Sequence, residues 1–189
     1  MEQQSTIKKT ACVTGHRPDK LVWGKNLNDD LRTEYLREIE LNLRFLINDG
    51  YTRFISGGAL GVDLDFAELV LKLKENGEDI SLEMAVPCPE QCKYWTAEEK
   101  ERYKNICARA DEVTMLYDRY TPFVMQARNR YMVDKSECVL CCYNGSRSGG
   151  TYQTIKYAQT KKRKLLLIDL SPVPKNGGNA MIFYREKIV

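Results

Sequence analysis

Three short segments of this chain carry residue types suited to holding a charged small molecule. The first is Thr14-Gly15-His16-Arg17-Pro18. Gly15 lets backbone come close to a ligand, and the planar fork of Arg17 suits a phosphate or carboxylate. His16 is the only histidine in the chain. An unshifted imidazole, with pKa about 6.5, is able to do acid–base work, but a structural hydrogen bond that fixes the loop is an equal alternative. The second segment is Ser56-Gly57-Gly58-Ala59-Leu60-Gly61-Val62-Asp63, and the third runs from Tyr143 to Thr151 through Arg147, Ser148, Gly149 and Gly150. Glycines such as Gly57, Gly58 and Gly61 tolerate positive φ and leave their amide hydrogens unobstructed. A helix starting there offers those amides and a partial positive charge to an anion. Arg147 adds charge to the third segment, and Ser146, Ser148 and Thr151 add hydroxyls. The expectation is one composite anion site built from two glycine-rich helix starts and the polar turn at Gly15.

Two carboxylates are candidates for acid–base work. Asp63 falls in a first helical turn, where the helix dipole alone favours a carboxylate; its functional alternative is a hydrogen bond to a ribose hydroxyl or a base. Glu68 either reaches the cleft or is solvated, and Asp65 is expected to face solvent. No Gly-Lys-Ser/Thr follows the glycines, and the spacing is not a strict G-x-G-x-x-G. No cofactor is expected.

Other features point less firmly to chemistry. Cys138-x-x-Cys141 lies in an apolar run that reads as a strand, where residues three apart point to opposite faces. Cys88 and Cys92 lack two further ligands at zinc-like spacing, so no metal is expected. Lys161 to Lys164 reads as a solvated helix end rather than a nucleic-acid patch. Gln91 and Trp95 border the cleft in this reading, with Trp95 either stacking on a base or packing against the sheet. Asn129 or Arg130 is a further candidate to face the ligand.

The elements that must position these residues alternate strand and helix. Apolar runs at 11–13, 53–55, 80–86, 112–117, 138–143 and 165–168 read as buried strands of a parallel sheet covered on both faces. Leu31, Tyr35, Ile39, Leu43 and Leu46 make one helical stripe, and Val62, Phe66, Leu69, Val70 and Leu73 the cleanest one. Asn76-Gly77 is a stop signal. Thr96 with Glu99 reads as a capping box, and Thr121-Pro122 as an N-cap with proline at the first helical position. The last helix starts at Gly150-Thr151 and is expected to end in Lys161 to Lys164, cations at the negative end of the dipole. This pattern gives a doubly wound, mostly parallel α/β sheet of Rossmann-like type in a single domain. Its core covers about residues 6–169; residues 170–189 read as a C-terminal loop with a short extra strand at Met181 to Tyr184. Ligands bind such sheets outside the C-terminal ends of the strands, where the three segments fall.

The 189 residues carry 29 basic and 26 acidic side chains, a net charge of +3. That even balance argues against a nucleic-acid partner. Seven scattered cysteines, an odd number, fit reduced thiols in a cytoplasmic setting. The residues after Met1 show no apolar leader, and no stretch approaches the ~20 apolar residues that span a bilayer.

Over Thr14 to Pro18, Ser56 to Asp63 and Ser148 to Thr151, the chain resembles the YpsA-like branch of the SLOG superfamily, with similarity from about Thr6 to Asp169. The resemblance implies a Rossmann-like fold of SLOG type and binding or processing of nucleotides and their derivatives. It also brings in a homodimer, since SLOG relatives often dimerise. The related LOG phosphoribohydrolases use Gly-Gly-x-Gly-Thr-x-x-Glu, with the glutamate in catalysis. Here the position three after Thr151 is Thr154, so a hydrolase would need its acid from Asp63 or Glu68. The expected function is a sensor or ligand-binding module for a nucleotide-like small molecule. A nucleotide N-glycosidase or phosphohydrolase is the alternative, and a DprA-like single-strand DNA binder comes third.

Overall fold

The apolar runs pair side by side as six parallel strands: β1 (Lys9–Gly15), β2 (Tyr51–Ser56), β3 (Ser81–Val86), β4 (Glu112–Met115), β5 (Cys138–Tyr143) and β6 (Lys164–Asp169). In this computed structural model the described residues are 8–175, 178–181 and 185–188, with side chains described for 8–171. Five helices connect the strands: α1 (Asp30–Asn48), α2 (Val62–Glu75), α3 (Ala97–Arg109), α4 (Val124–Asp134) and α5 (Gly150–Thr160). Three further strands follow, β7 (Pro172–Lys175), β8 (Gly178–Met181) and β9 (Arg185–Ile188). The sheet order is β4-β3-β2-β1-β5-β6-β9, with β9 antiparallel to β6.

The alternation of side chains along each strand separates two cores. Ala11, Val13, Phe54, Leu82, Cys138 and Leu140 pack beneath α1, α2 and α3. Cys12, Ile55, Ala85, Val139 and Cys141 pack beneath Met132 and Val133 of α4 and Ala158 of α5. Helices on both faces make the sheet doubly wound, the Rossmann-like arrangement expected. The same alternation places Cys138 and Cys141 on opposite faces.

Local signals set most helix ends. Asp29 caps α1 by accepting from the Leu31 amide at 2.9 Å. Thr96 and Glu99 form the reciprocal capping box of α3, and Asn76 caps the C-terminus of α2. Thr121-Pro122 does not cap α4. The Val124 amide bonds to the Thr121 carbonyl, so that pair forms a turn ahead of a helix that begins at Val124. Helix α5 ends at Thr160, and the last cation of the basic run, Lys164, opens β6 and pairs with Asp49 at 2.8 Å.

The C-terminal stretch departs further from expectation. Rather than a loop, it holds the hairpin of β7 and β8 and then β9 on the sheet edge. Prolines 172 and 174 fit there because a two-stranded hairpin has an edge that needs no amide donor. Met181 ends β8; residues 182–184 of the expected extra strand lie outside the described residues. Among the described residues, no helix is long and apolar enough to cross a membrane.

Candidate functional site

The chain runs outward from β1 through β2 and β3 to β4, then returns to place β5 on the other side of β1. The loops leaving β1 and β5 therefore diverge, and a crevice opens where they part. A cleft of about 200 Å³ lies there, lined by Gly15, His16 and Arg17 of the first loop, Ala59 and Asp63 of the second, and Gly150 and Thr151 of the third. Asp19, Lys20, Met125, Arg128 and Asn129 complete the wall.

Backbone and side-chain bonds bind the loops together. The Thr151 hydroxyl donates to the Gly15 carbonyl at 2.8 Å. The Asn144 amide donates to His16 Nε2 at 3.1 Å, and the Val62 amide to the His16 carbonyl at 3.3 Å. His16 is buried and stacks on Tyr143 with ring centroids 5.7 Å apart. Its accepting Nε2 carries no proton in this arrangement. Burial, with Lys20 adding to it, lowers its pKa below 6.5, while the Asn144 contact works the other way. The structural alternative for His16 is thus realised, although the ring also lines the cleft.

A pH prediction follows from the lowered pKa. Just below 6.5 the unfolded chain binds more protons at His16 than the folded chain does. The stability from keeping this ring neutral is full above that pH and is lost as pH falls through the folded pKa. Urea unfolding at pH 7.5 and 5.5 should show a smaller difference in His16→Gln than in the parent. Equal differences would remove His16 as the titrating group.

The second glycine loop is not an anion seat. The Gly58 amide donates to Ser56 Oγ at 3.1 Å, and the Ala59 amide to Asp63 Oδ2 at 3.3 Å. Gln91 Nε2 donates to the Gly57 carbonyl at 3.1 Å and the Gly58 carbonyl at 2.8 Å. A Cβ on Gly58 would lie 2.9 Å from Met84 and 3.0 Å from Tyr103, on the α3 side. Gly57 is covered by Arg128, whose Nη1 donates to its carbonyl. Gly61, at φ 91°, brings backbone against the His16 carbonyl, where a Cβ would come within 2.5 Å. Gly57, Gly58 and Gly61 therefore let elements pack closely and do not line the cleft.

The α5 start is different. Its N-cap is Gly149 at φ 89°, without a side-chain cap, as at Gly61 before α2; but the Val62 amide that opens α2 is taken by the His16 carbonyl. Gly150 and Thr151 line the cleft. Lys20 Nζ stands 3.2 Å from where a Cβ of Gly149 would be. Of the two helix starts, that of α5 brings its first residues, Gly150 and Thr151, to the cleft beside Lys20 and Arg17, whereas α2 reaches it through Asp63. Arg147 and Ser148 are exposed and lie off the lining, with Ser148 Oγ 3.4 Å from Ser146 Oγ.

At the floor of the cleft Asp63 Oδ2 lies 3.6 Å from Arg128 Nη1, both side chains buried. Burial raises the Asp63 carboxyl above its ordinary range, with Arg128, the Ala59 amide and Arg17 acting against the shift. Burial likewise lowers the Arg128 guanidinium, and Asp63 holds it up. Arg128 escaped the reading of the sequence, but it left a signal. It sits on the stripe Val124, Arg128, Met132, a charge in the middle of buried helical positions. Asp19 and Lys20 gave no such signal, because the short 3₁₀ turn Pro18–Lys20 has no periodicity to read.

With the geometry described, comparison with known proteins places the chain. The sequence model of YpsA, described as "YspA SLOG family", matches residues 11–171. The chain belongs to this family. It is 39% identical over 119 residues to "Uncharacterized SPbeta prophage-derived protein YoqJ" of Bacillus subtilis (strain 168), covering 57% of this chain and 69% of that protein. It is 28% identical over 159 residues to the UPF0398 protein YpsA of the same strain, covering 82% and 87%. Among solved structures it resembles DNA processing protein A (DprA) from Streptococcus pneumoniae, with TM-score 0.61, 17% identity, and coverage of 90% of this chain and 52% of that one. DprA from Helicobacter pylori, whose structure is titled for its single-stranded DNA binding mode, matches with TM-score 0.56, 16% identity, and coverage of 92% and 68%. The chain thus spans about half the length of the Streptococcus protein, and the likeness to both is one of fold.

Within this YpsA-family fold all but one of the remaining candidates fall outside the cleft. Glu68 is held by Arg102, with bonds of 2.8 and 2.6 Å, and does not line the cleft. Asp65 is not solvent-facing. It is buried between Arg32 at 2.6 Å and Arg102 at 2.7 Å, because α2 is wedged between α1 and α3 and its polar side is covered too. Thr154 accepts from Asn129 Nδ2 and donates to the Gly150 carbonyl, each at 2.9 Å. Of the candidate carboxylates, only Asp63 reaches the cleft. Asn129 lines it as well, while Arg130 lies over the Tyr157 ring instead, 5.3 Å from its centroid.

Proposed function

We propose that the cleft where β1 and β5 part binds the phosphate-bearing end of a nucleotide or nucleotide derivative, and that the protein is a ligand-binding or sensing module. The observation that carries this reading is the uncapped α5 start facing Lys20 and Arg17 across a concave site. Free amides at a helix N-terminus favour an anion, and two cations offset its charge. Asp63, fixed by Arg128 and the Ala59 amide, is placed to accept from a ribose hydroxyl. Membership of a SLOG family supports a nucleotide-like ligand.

Gly150 provides the test. A Cβ there would have Asn129 Nδ2 at 3.9 Å as its nearest neighbour, so a side chain at this position starts in open space and Gly150→Val narrows the proposed anion seat. Calorimetry should find micromolar nucleotide binding in the parent and at least about tenfold weaker binding in Gly150→Val, a loss of about 1.4 kcal/mol or more. The melting temperature should stay within about 2 °C, as for a substitution into open space. Unchanged affinity would refute the seat. Chromatography of the same mixtures separates binding from turnover. Release of free base would favour an N-glycosidase with Asp63 as its acid–base group.

A further inference from the structure

We infer that a second, larger cleft beside the first takes the base of the same nucleotide, so that the ligand straddles Arg17. This inference rests on the phosphate-end reading above. The second cleft has a volume of about 690 Å³ and shares Arg17, Ala59 and Met125 with the first. The first, at about 200 Å³, falls below the ~300 Å³ at which small-molecule sites begin. A whole nucleotide needs more room than it offers, and the adjoining space is reached past Arg17.

The side chains of that space are of the type that binds a base. Tyr94 and Tyr120 line it and are 89% and 56% exposed. Two large flat rings standing open beside an anion seat form a stacking surface, and every base has a π-face to lay on it. Trp95, the stacking residue expected from the sequence, instead packs edge-on against Tyr103, with centroids 5.5 Å apart, and forms the wall. Lys93 Nζ lies 5.3 Å from the Tyr94 centroid, and the opposite charge of Glu90 sits on the same lining. This part of the cleft is thus near neutral and suits an uncharged ring better than a second phosphate.

A third cleft, of about 370 Å³ between α4 and α5, also adjoins the anion seat through Met125, Asn129 and Gly150. Its aromatic residue is more fully engaged than Tyr94, over which the single cation Lys93 lies. Arg130 and Lys161 lie 5.3 and 5.2 Å from the Tyr157 centroid, and its hydroxyl bonds to Asp134 at 3.0 Å. The base therefore belongs on the Tyr94 and Tyr120 side.

Calorimetric titration of the full chain with AMP and with ribose 5-phosphate tests this. AMP should bind about tenfold or more tightly than ribose 5-phosphate, the scale of one stacked base. Tyr94→Ala/Tyr120→Ala should weaken AMP to the level of ribose 5-phosphate and leave ribose 5-phosphate unchanged. Tyr94→Phe/Tyr120→Phe should retain AMP affinity, because the ring and not the hydroxyl does the stacking. Both tyrosines are exposed, so these variants are expected to fold. Equal affinities of the two probes for the parent, or unchanged AMP affinity in the double alanine variant, would overturn the base subsite. Loss of AMP affinity on removing the tyrosines but not in Gly150→Val would support the base subsite and overturn the phosphate seat alone. An oligothymidylate binding far more tightly than AMP, with steep salt dependence, would overturn the nucleotide in favour of a single strand.

Discussion

Arg128→Ala should lower folding stability by about 3–5 kcal/mol, the usual cost of removing one partner from a buried ion pair. The guanidinium is fully enclosed beneath the cleft and makes three contacts: the Gly57 carbonyl, Asn129 Oδ1 at 2.7 Å, and Asp63 at 3.6 Å. Truncation leaves the Asp63 carboxylate buried with only the Ala59 amide and distant Arg17 to support it. In a domain of this size, that loss corresponds to a drop of roughly 6–20 °C in melting temperature. The effect should also depend on pH in a direction the structure fixes. Asp63 already has a raised pKa, and losing Arg128 raises it further. A carboxyl with a raised folded pKa contributes stability at low pH that is lost as pH rises through that pKa. The damage should therefore be smaller at pH 5 than at pH 7.5, and Asp63→Asn in the same background should recover part of it. Urea unfolding at the two pH values measures both effects. A loss under 1 kcal/mol would show that Arg128 is not the counter-ion that the cleft floor needs.

Gly15→Ala is the second large effect, and it acts by overpacking. A Cβ on Gly15 would lie 2.4 to 2.5 Å from the Cβ and both methyls of Val62. Val62 is the first residue of α2 and is fully buried, so it has no exposed space to turn into. Overpacking of this kind typically costs 1–3 kcal/mol. The clash pushes apart the two elements that hold His16, Arg17 and Asp63 around the cleft, so ligand affinity should fall with stability. Val62→Ala supplies the rescue. It removes both methyls that the new Cβ meets but keeps the Val62 Cβ at 2.5 Å, so the rescue is partial: Gly15→Ala/Val62→Ala should be more stable than the sum of the single losses implies. Strict additivity in that double-mutant cycle, read by chemical denaturation, would rule out the Gly15–Val62 contact as the cause.

The order of strands and helices was legible because near-continuous apolar runs and helical stripes report burial directly. The cap at Thr96 was legible because it is a local bond between residues three apart. The place of the cleft followed as well, since a doubly wound sheet opens at the ends of its strands. Less of the site itself could be read. The Ser56 to Asp63 loop and the Ser148 to Thr151 loop both open with Ser-Gly-Gly, yet the glycines of one are covered by protein atoms and Gly150 of the other lines the cleft. Glycine tells only that backbone comes close to something. Whether that neighbour is Arg128 and Tyr103 or a vacant cleft depends on elements far away in the chain. Asp65 was misplaced for a related reason: helical spacing gives a face, but not what covers it.

By itself, then, the sequence determined an α/β sheet wound on both faces, the end of α2, the capping of α3, and the three loops that meet at one end of the sheet. Those properties depend on interactions within a few residues or on the average burial of a run, and both are written in residue order. Only the tertiary structure decided that the α5 start lines the cleft, that Arg128 lies beside Asp63, and that Tyr94 and Tyr120 line the cleft adjoining it. Each of these joins residues from separate elements, and no local pattern records the distance between them.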